Sequence, residues 1–376
     1  MRSCRLCKNK LHKPVLVLDN MPKSAQLFPN KKDLNKEKGI KLSVYQCSNC
    51  GLVQIKDKPV SYYKQVIRAT GISKEMQKFR ETQFKNFIKK YNLKNKKILE
   101  VGCGFGEYLS IMNRCNVNAY GIEYSQKAVN YCKNLGLKVS KQFIENEKYK
   151  IKYAPFDAFF IMSYLEHIPD INSFLIGISN NLTDKGVGLI EVPNFDMILK
   201  KKLFSEFISD HLYYFTKDTL KMTLNMNGFD VLECNSVWHD YILSAVVKKR
   251  ENFDTVSFYK QKKLLSDKLN KYIDKFDKET VAVWGAGHQA LAVISLAKLQ
   301  NKIKFLVDSA EFKQNKFSPA THIPIYSPDI LKTEKPKAII IMAGSYCDEI
   351  LKIIKTKCSR NISVAVLKED NFKIIK

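Results

Sequence analysis

Between Ile72 and Tyr91 the apolar residues Met76, Phe79, Phe84, Phe87 and Ile88 recur at helical spacing, and the chain then enters Lys97-Ile98-Leu99-Glu100-Val101. A helical period followed by a short, nearly continuous apolar run predicts an amphipathic helix feeding a buried strand. Runs of the same kind recur at 119–123, 158–162 and 188–192, with helical stretches between them. Strand and helix in alternation predict an α/β fold built on a parallel sheet. After Arg250, the residues Leu264, Leu265, Leu269, Tyr272, Ile273 and Phe276 mark one face of a helix running towards Lys278. Such a face suits a connecting helix, and equally a core or dimer helix. Apolar runs restart at 281–284, 303–307 and 338–342, which predicts a second, smaller α/β unit.

Residues 1–60 break this pattern: around Pro22 and Pro29 they carry many lysines and few core residues. So small a unit needs a staple. The expected organisation is a module at 1–60, an α/β domain at 61–250, a connecting helix at 251–278 and a second α/β domain at 279–376. A chain of 376 residues is too long for one ordinary core. No apolar run approaches bilayer length, and Met1-Arg2-Ser3-Cys4 holds no signal core. A soluble, cytoplasmic protein without a membrane partner is expected; monomer and homodimer both stay open. The formal charge of +26 raises the question of nucleic acid. The lysines are scattered, arginine is scarce, and no basic stripe interleaves with aromatics, so no nucleic-acid partner is expected. An anionic small substrate fits the charge.

Cys4-x-x-Cys7 and Cys47-x-x-Cys50 form two knuckles separated by 39 residues. Each can turn two thiolates towards one ion, and four thiolates fill the tetrahedral sphere of a structural zinc. A redox pair is the alternative reading. Cys103, Cys115, Cys132, Cys234, Cys347 and Cys358 are dispersed and read as ordinary thiols.

Glu100-Val101-Gly102-Cys103-Gly104-Phe105-Gly106 follows a predicted strand and precedes a helical stretch from Glu107 to Arg114. Glycines there let the backbone turn sharply and approach a ligand. At the end of the next predicted strand, Glu123 is placed to accept hydrogen bonds from ribose hydroxyls, with Tyr124 beside it for a base. The pattern resembles the class I methyltransferases that use S-adenosylmethionine (SAM). It implies a Rossmann-like sheet and a cofactor site of Glu100, Gly102, Cys103, Gly104, Gly106, Glu123 and Tyr124.

The chain as a whole resembles the SAM-dependent sugar C-methyltransferase family. The likeness lies in Val17-Leu18-Asp19-Asn20-Met21-Pro22, Leu165-Glu166-His167-Ile168-Pro169-Asp170, Glu191-Val192-Pro193-Asn194 and Asp210-His211-Leu212-Tyr213-Tyr214-Phe215. It implies methylation of a carbon next to the keto group of a nucleotide-linked deoxysugar. His211 is then the expected base, Asp210 an orienting or sugar-contacting group, and His167 the second candidate base. Asn194 and Tyr214 are expected at the substrate. An imidazole can remove a proton beside a ketone once the enolate oxygen is stabilised. The chain departs from the family at Ile208, where a tyrosine is common, and at Asp210, usually Glu. The segment Tyr62-Tyr63-Lys64-Gln65-Val66-Ile67-Arg68-Ala69-Thr70 leaves another family tyrosine unassigned. O-methylation of a sugar hydroxyl by the same histidine is the runner-up.

Trp284-Gly285-Ala286-Gly287-His288-Gln289-Ala290 also follows a predicted strand, and Asp308 ends the next. This fits a GxGxxA dinucleotide fingerprint, so an NAD-binding oxidoreductase half is a rival from another class. The resemblance implies instead a Rossmann-like domain that meets the sugar nucleotide through Gly285, Gly287 and His288. A non-catalytic binding module is the third reading.

Overall fold

Three short antiparallel strands, β1 (Leu16–Met21), β2 (Ile40–Gln46) and β3 (Val53–Ile55), form the N-terminal module in a computed structural model that describes residues 3–65, 72–357 and 362–375. A central sheet follows from β4 (Lys97–Val101), β5 (Asn118–Glu123), β6 (Val139–Lys141), β7 (Phe156–Met162) and β8 (Leu182–Pro193). The two-residue β9 (Tyr213–Tyr214) leaves this sheet and pairs antiparallel with β3, with Val53 opposite Tyr214 and Gln54 opposite Tyr213. The module's sheet is therefore finished by a segment about 160 residues downstream.

With β10 (Phe229–Val237) and β11 (Ile242–Lys249), the central sheet has the order β10-β11-β8-β7-β4-β5-β6. Pairs from β6 to β8 are parallel; β11 runs antiparallel to both β8 and β10. This is a class I methyltransferase sheet. Each predicted run lies within an observed strand. The additions are β6, β10 and β11; the three residues of β6, Val-Ser-Lys, carry too little apolar pattern to read as a strand. Helix Lys74–Lys90 starts at Ser73, whose side chain accepts from Met76 N, and buries Phe84, Phe87 and Ile88. It also buries Arg80, whose guanidinium lies 2.5 Å from the Glu191 carboxylate of β8. Removing either partner would strand a charge in the core.

The chain divides into two compact units, Met1–Glu251 and Asn252–Lys376. In the second, β12 (Val281–Trp284), β13 (Phe305–Val307), β14 (Lys316–Phe317), β15 (Pro324–Tyr326), β16 (Ala338–Ile341), β17 (Ser363–Lys368) and β18 (Asn371–Ile374) make one sheet. Its order is β14-β15-β13-β12-β16-β17-β18, with a parallel centre and antiparallel edges. Helix Thr255–Ile273 contributes Leu265, Leu269, Tyr272 and Ile273 to this unit's core. Leu264, expected on the same face, is 56% exposed. It precedes Leu265 by about 100° of helix rotation and so falls outside the buried stripe.

Candidate active site

The two cysteine knuckles meet. Lys8 N donates to Cys4 O at 3.1 Å and Gly51 N to Cys47 O at 2.9 Å, closing a tight turn after each pair. Lys8 and Gly51 both take positive φ there. Cys4 Sγ lies 3.7 Å from Cys50 Sγ and Cys7 Sγ 3.5 Å from Cys47 Sγ, and all four sulfurs fall within 4.8 Å of one another. Sulfurs bound at about 2.3 Å to one tetrahedral ion sit roughly 3.8 Å apart, so the set fits zinc. Four thiolates leave no open position, which makes the centre structural. Gln54 Nε2 donates to Cys4 Sγ at 3.1 Å and orients that ligand.

Past β4 the glycine loop turns through left-handed backbone at Gly102, Gly104 and Gly106 (φ 73°, 55° and 82°). A side chain at Gly106 would also strike Leu137 and Cys132, at 2.7 and 2.9 Å. Gly104 N donates to Glu123 Oε2 at 3.0 Å, and Ser125 N to Glu123 Oε1 at 2.8 Å. The carboxylate of Glu123 is thus fixed across the loop at the end of β5, where ribose hydroxyls would donate to it. Cys103 is wholly buried, with its thiol turned into the interior beside Gly121. Tyr124 is 40% exposed and lines a shallow crevice with Gly102, Glu123 and Phe143. Glu100 is buried at the end of β4. This loop and carboxylate fit SAM's amino acid and ribose. Glu123→Ala should weaken SAM binding about 10- to 100-fold, the loss expected for hydrogen bonds to a charged group. Unchanged affinity by calorimetry would reject the assignment.

A cavity of about 590 Å³ opens beside the carboxyl ends of β7 and β8. His211, His167 and Asp210 line it together with Tyr62, Glu166 and Tyr241. The histidine rings stand edge to face, 4.9 Å apart. His167 Nδ1 lies 2.8 Å from Asp210 O; a carbonyl only accepts, so Nδ1 carries the proton. Burial, followed by the neighbouring His167, holds His211 well below the ordinary imidazole range. Burial also lowers His167, opposed by its bond to Asp210. Both rings are therefore neutral near pH 7.

The Asp210 carboxylate accepts from Tyr62 Oη at 2.5 Å through Oδ1 and from Ala25 N at 2.9 Å through Oδ2. Tyr62 is raised by burial and then by Asp210, so its phenol keeps its proton. Sequence reading had left this tyrosine unassigned because it is 148 positions from its partner. Of that segment, 66–70 lies outside the described residues. Asn194 and Tyr214, expected at the substrate, do not line the cavity. The Asn194 carbonyl caps helix Phe195–Lys201, and its amide donates to Asp240 O. Tyr214 Oη bonds the backbone of Ile208. Each spends its polar atoms on holding the segments around the cavity.

In the second unit Gly285 takes φ 127°, and a Cβ there would lie 2.3 Å from Met342 O. Gly287 faces open space and begins helix His288–Leu296, with His288 exposed. The Asp308 carboxylate accepts from Ala286 N, Ala310 N and Lys313 Nζ. An NAD ribose would have to compete with all three. Among the described residues, no helix is long and apolar enough to cross a membrane.

Residues 4–59 match the family described as "Putative zinc binding domain", 73–234 "Methyltransferase domain" and 247–366 "C-methyltransferase C-terminal domain". The chain is similar to the C-methyltransferase NovU of Streptomyces niveus, 21% identical over 385 residues that cover 93% of this chain and 91% of that protein. It is also similar to a ubiquinone biosynthesis O-methyltransferase of Pelagibacter ubique (strain HTCC1062), 28% identical over 194 residues, 50% of this chain and 76% of that protein. A solved S-adenosylmethionine-dependent methyltransferase from Clostridium acetobutylicum ATCC 824 aligns with a TM-score of 0.39 and 16% identity, covering 50% of this chain and 96% of that one.

Proposed function

We propose that this chain, a SAM-dependent methyltransferase with a zinc module and a C-methyltransferase C-terminal domain, methylates the carbon beside the keto group of a nucleotide-linked sugar. One observation carries the reading. A neutral histidine pair shares a cavity with a hydrogen-bonded phenol and carboxylate, and Tyr164 lines both this cavity and the crevice of Gly102 and Glu123. His211 takes the proton from the carbon, and its neutral state leaves a ring nitrogen free to do so. His167 is the alternative base. Tyr62 is the candidate donor to the enolate oxygen, in place of the phenol absent at Ile208, once its single O–H turns from Asp210 to the substrate. Within the second unit, Gly285, Gly287 and His288 are proposed as a phosphate-binding helix start, as exposed amides there can be. When bound, SAM supplies an electrophilic methyl group.

O-methylation is the second reading, favoured by the likeness to the Pelagibacter O-methyltransferase. Incubation with labelled SAM and a panel of sugar nucleotides, read by mass spectrometry and product NMR, tests both. We expect a keto-sugar nucleotide to gain a methyl on carbon. A methoxy signal would replace the first reading by the second, and label transfer to no sugar nucleotide would remove the sugar assignment.

A further inference from the structure

Glu166 is a carboxylic acid that the methyl-transfer reading leaves without a task. It is fully buried in the cavity wall, and neither carboxyl oxygen has a hydrogen-bond partner among the described residues. Burying a carboxyl group without partners is costly, so such a group is retained against its effect on stability. Two histidines stand beside it: one nitrogen or oxygen atom from each of Glu166, His167 and His211 lies within 4.8 Å of the others. With the proton of His167 on Nδ1, the Nε2 lone pair lies 3.9 Å from Glu166 Oε1.

Resting on the methyl-transfer reading above, we infer that Glu166 is the acceptor in which the substrate's proton comes to rest, reached from His211 across the Nε2 lone pair of His167. It touches no substrate atom and acts through the histidines. The balance closes. The acceptor's C–H bond breaks, its proton goes to His211, and its electron pair forms the new bond to the methyl carbon. The methyl–sulfur bond breaks with its pair staying on sulfur. The proton then moves to the Glu166 carboxylate. One positive charge on sulfur and one negative charge on Glu166 disappear together, so the net charge of the site is the same after transfer as before it. Without such a sink each turnover would leave an imidazolium buried in the wall.

Burial holds the Glu166 carboxyl up to about 8, so in the free protein below that pH it is mostly protonated. Among the groups facing it, the charge is that of the Asp210 carboxylate, which Tyr62 and Ala25 N hold. His167 shares its turn, and His211 and Asp210 come from the segment before β9. Tyr241 faces it from the turn before β11. On the elements packed beside it, Glu191 and Arg80 pair with each other. A sulfonium brought into this region favours the carboxylate and expels its proton; the neutral sulfur of S-adenosylhomocysteine (SAH) does not.

The test needs no acceptor, so its failure is separable from failure of the sugar assignment. SAM and SAH are titrated calorimetrically into the zinc-loaded full chain below pH 8, in two buffers of different ionisation enthalpy, to count exchanged protons. SAM should release up to about one proton more than SAH, and Glu166→Gln should abolish the difference. Equal release by the two ligands in the unsubstituted chain, or a difference that survives Glu166→Gln, overturns the inference. Should the variant not fold, infrared spectra of the unsubstituted chain decide. The SAH-minus-SAM difference should gain a protonated-carboxyl band that shifts in deuterated water, and absence of that band overturns the inference equally.

Discussion

A Cys4→Ser/Cys47→Ser double variant is expected to lose its zinc and, with it, both the fold of the module and most of the methyl transfer. Structural zinc contributes about 10–16 kcal/mol in small metal-organised peptides, comparable to the whole 5–15 kcal/mol stability of a typical domain. The apolar residues of the module, among them Leu42, Val44, Leu52 and Ile55, form one core with residues of the central domain. The damage should therefore spread. Among the described residues β9 has its ladder with β3 alone, and Ile55 N donates to Leu212 O, next to His211. Ala25 N holds the Asp210 carboxylate, and Arg5 reaches Pro169 O. Loss of the metal should thus loosen the base-carrying segment from a distance. Elemental analysis should find about one zinc per unsubstituted chain. Hydrogen exchange should rise in the variant at 42–55 and again at 212–214. Full zinc occupancy in the double variant would defeat the metal assignment, and protection at 212–214 equal to that of the unsubstituted chain would defeat the coupling.

Replacing the proposed base should act on chemistry alone. His211→Ala should lower turnover by about 10²–10⁴-fold, the usual contribution of a positioned general base, and leave SAM affinity nearly intact. The donor loop and Glu123 are held by their own backbone bonds and do not lean on His211. Because burial and His167 keep His211 well below the ordinary imidazole range, activity assigned to this base should fall only when pH drops below that range. With a keto acceptor, the unsubstituted protein should exchange the adjacent C–H with deuterated solvent whenever the enolate is reprotonated before transfer, and His211→Ala should not. A loss smaller than about tenfold would fall below the range for a general base and pass the role to His167.

The zinc ligands, the sheet centre and the glycine loop were legible because each depends on neighbours in sequence. Two cysteines three positions apart form a knuckle by themselves, and an apolar run such as Phe156–Met162 is buried whichever strand lies beside it. Gly102 and Gly104 sit where the backbone must turn, so their residue type already reports their conformation. His211, His167 and Asp210 were picked out by likeness of short motifs, and the fold brings all three to one cavity.

What the tertiary structure decided is how polar atoms far apart in the chain are spent. Tyr62 meets Asp210, Ala25 reaches the same carboxylate, and β9 completes the module's sheet, none of which leaves a local pattern. Asn194 and Tyr214 looked like substrate contacts and instead cap a helix and brace a loop. Glu166 looked like one more residue of a short motif, yet it is buried beside two histidines with no hydrogen-bond partner for its carboxyl among the described residues. Hydrophobic periodicity records which side of an element meets the core. The pairing of one carboxylate, phenol or imidazole with another is settled only when the chain closes on itself, because a hydrogen bond depends on ångström-scale geometry that residue order does not encode.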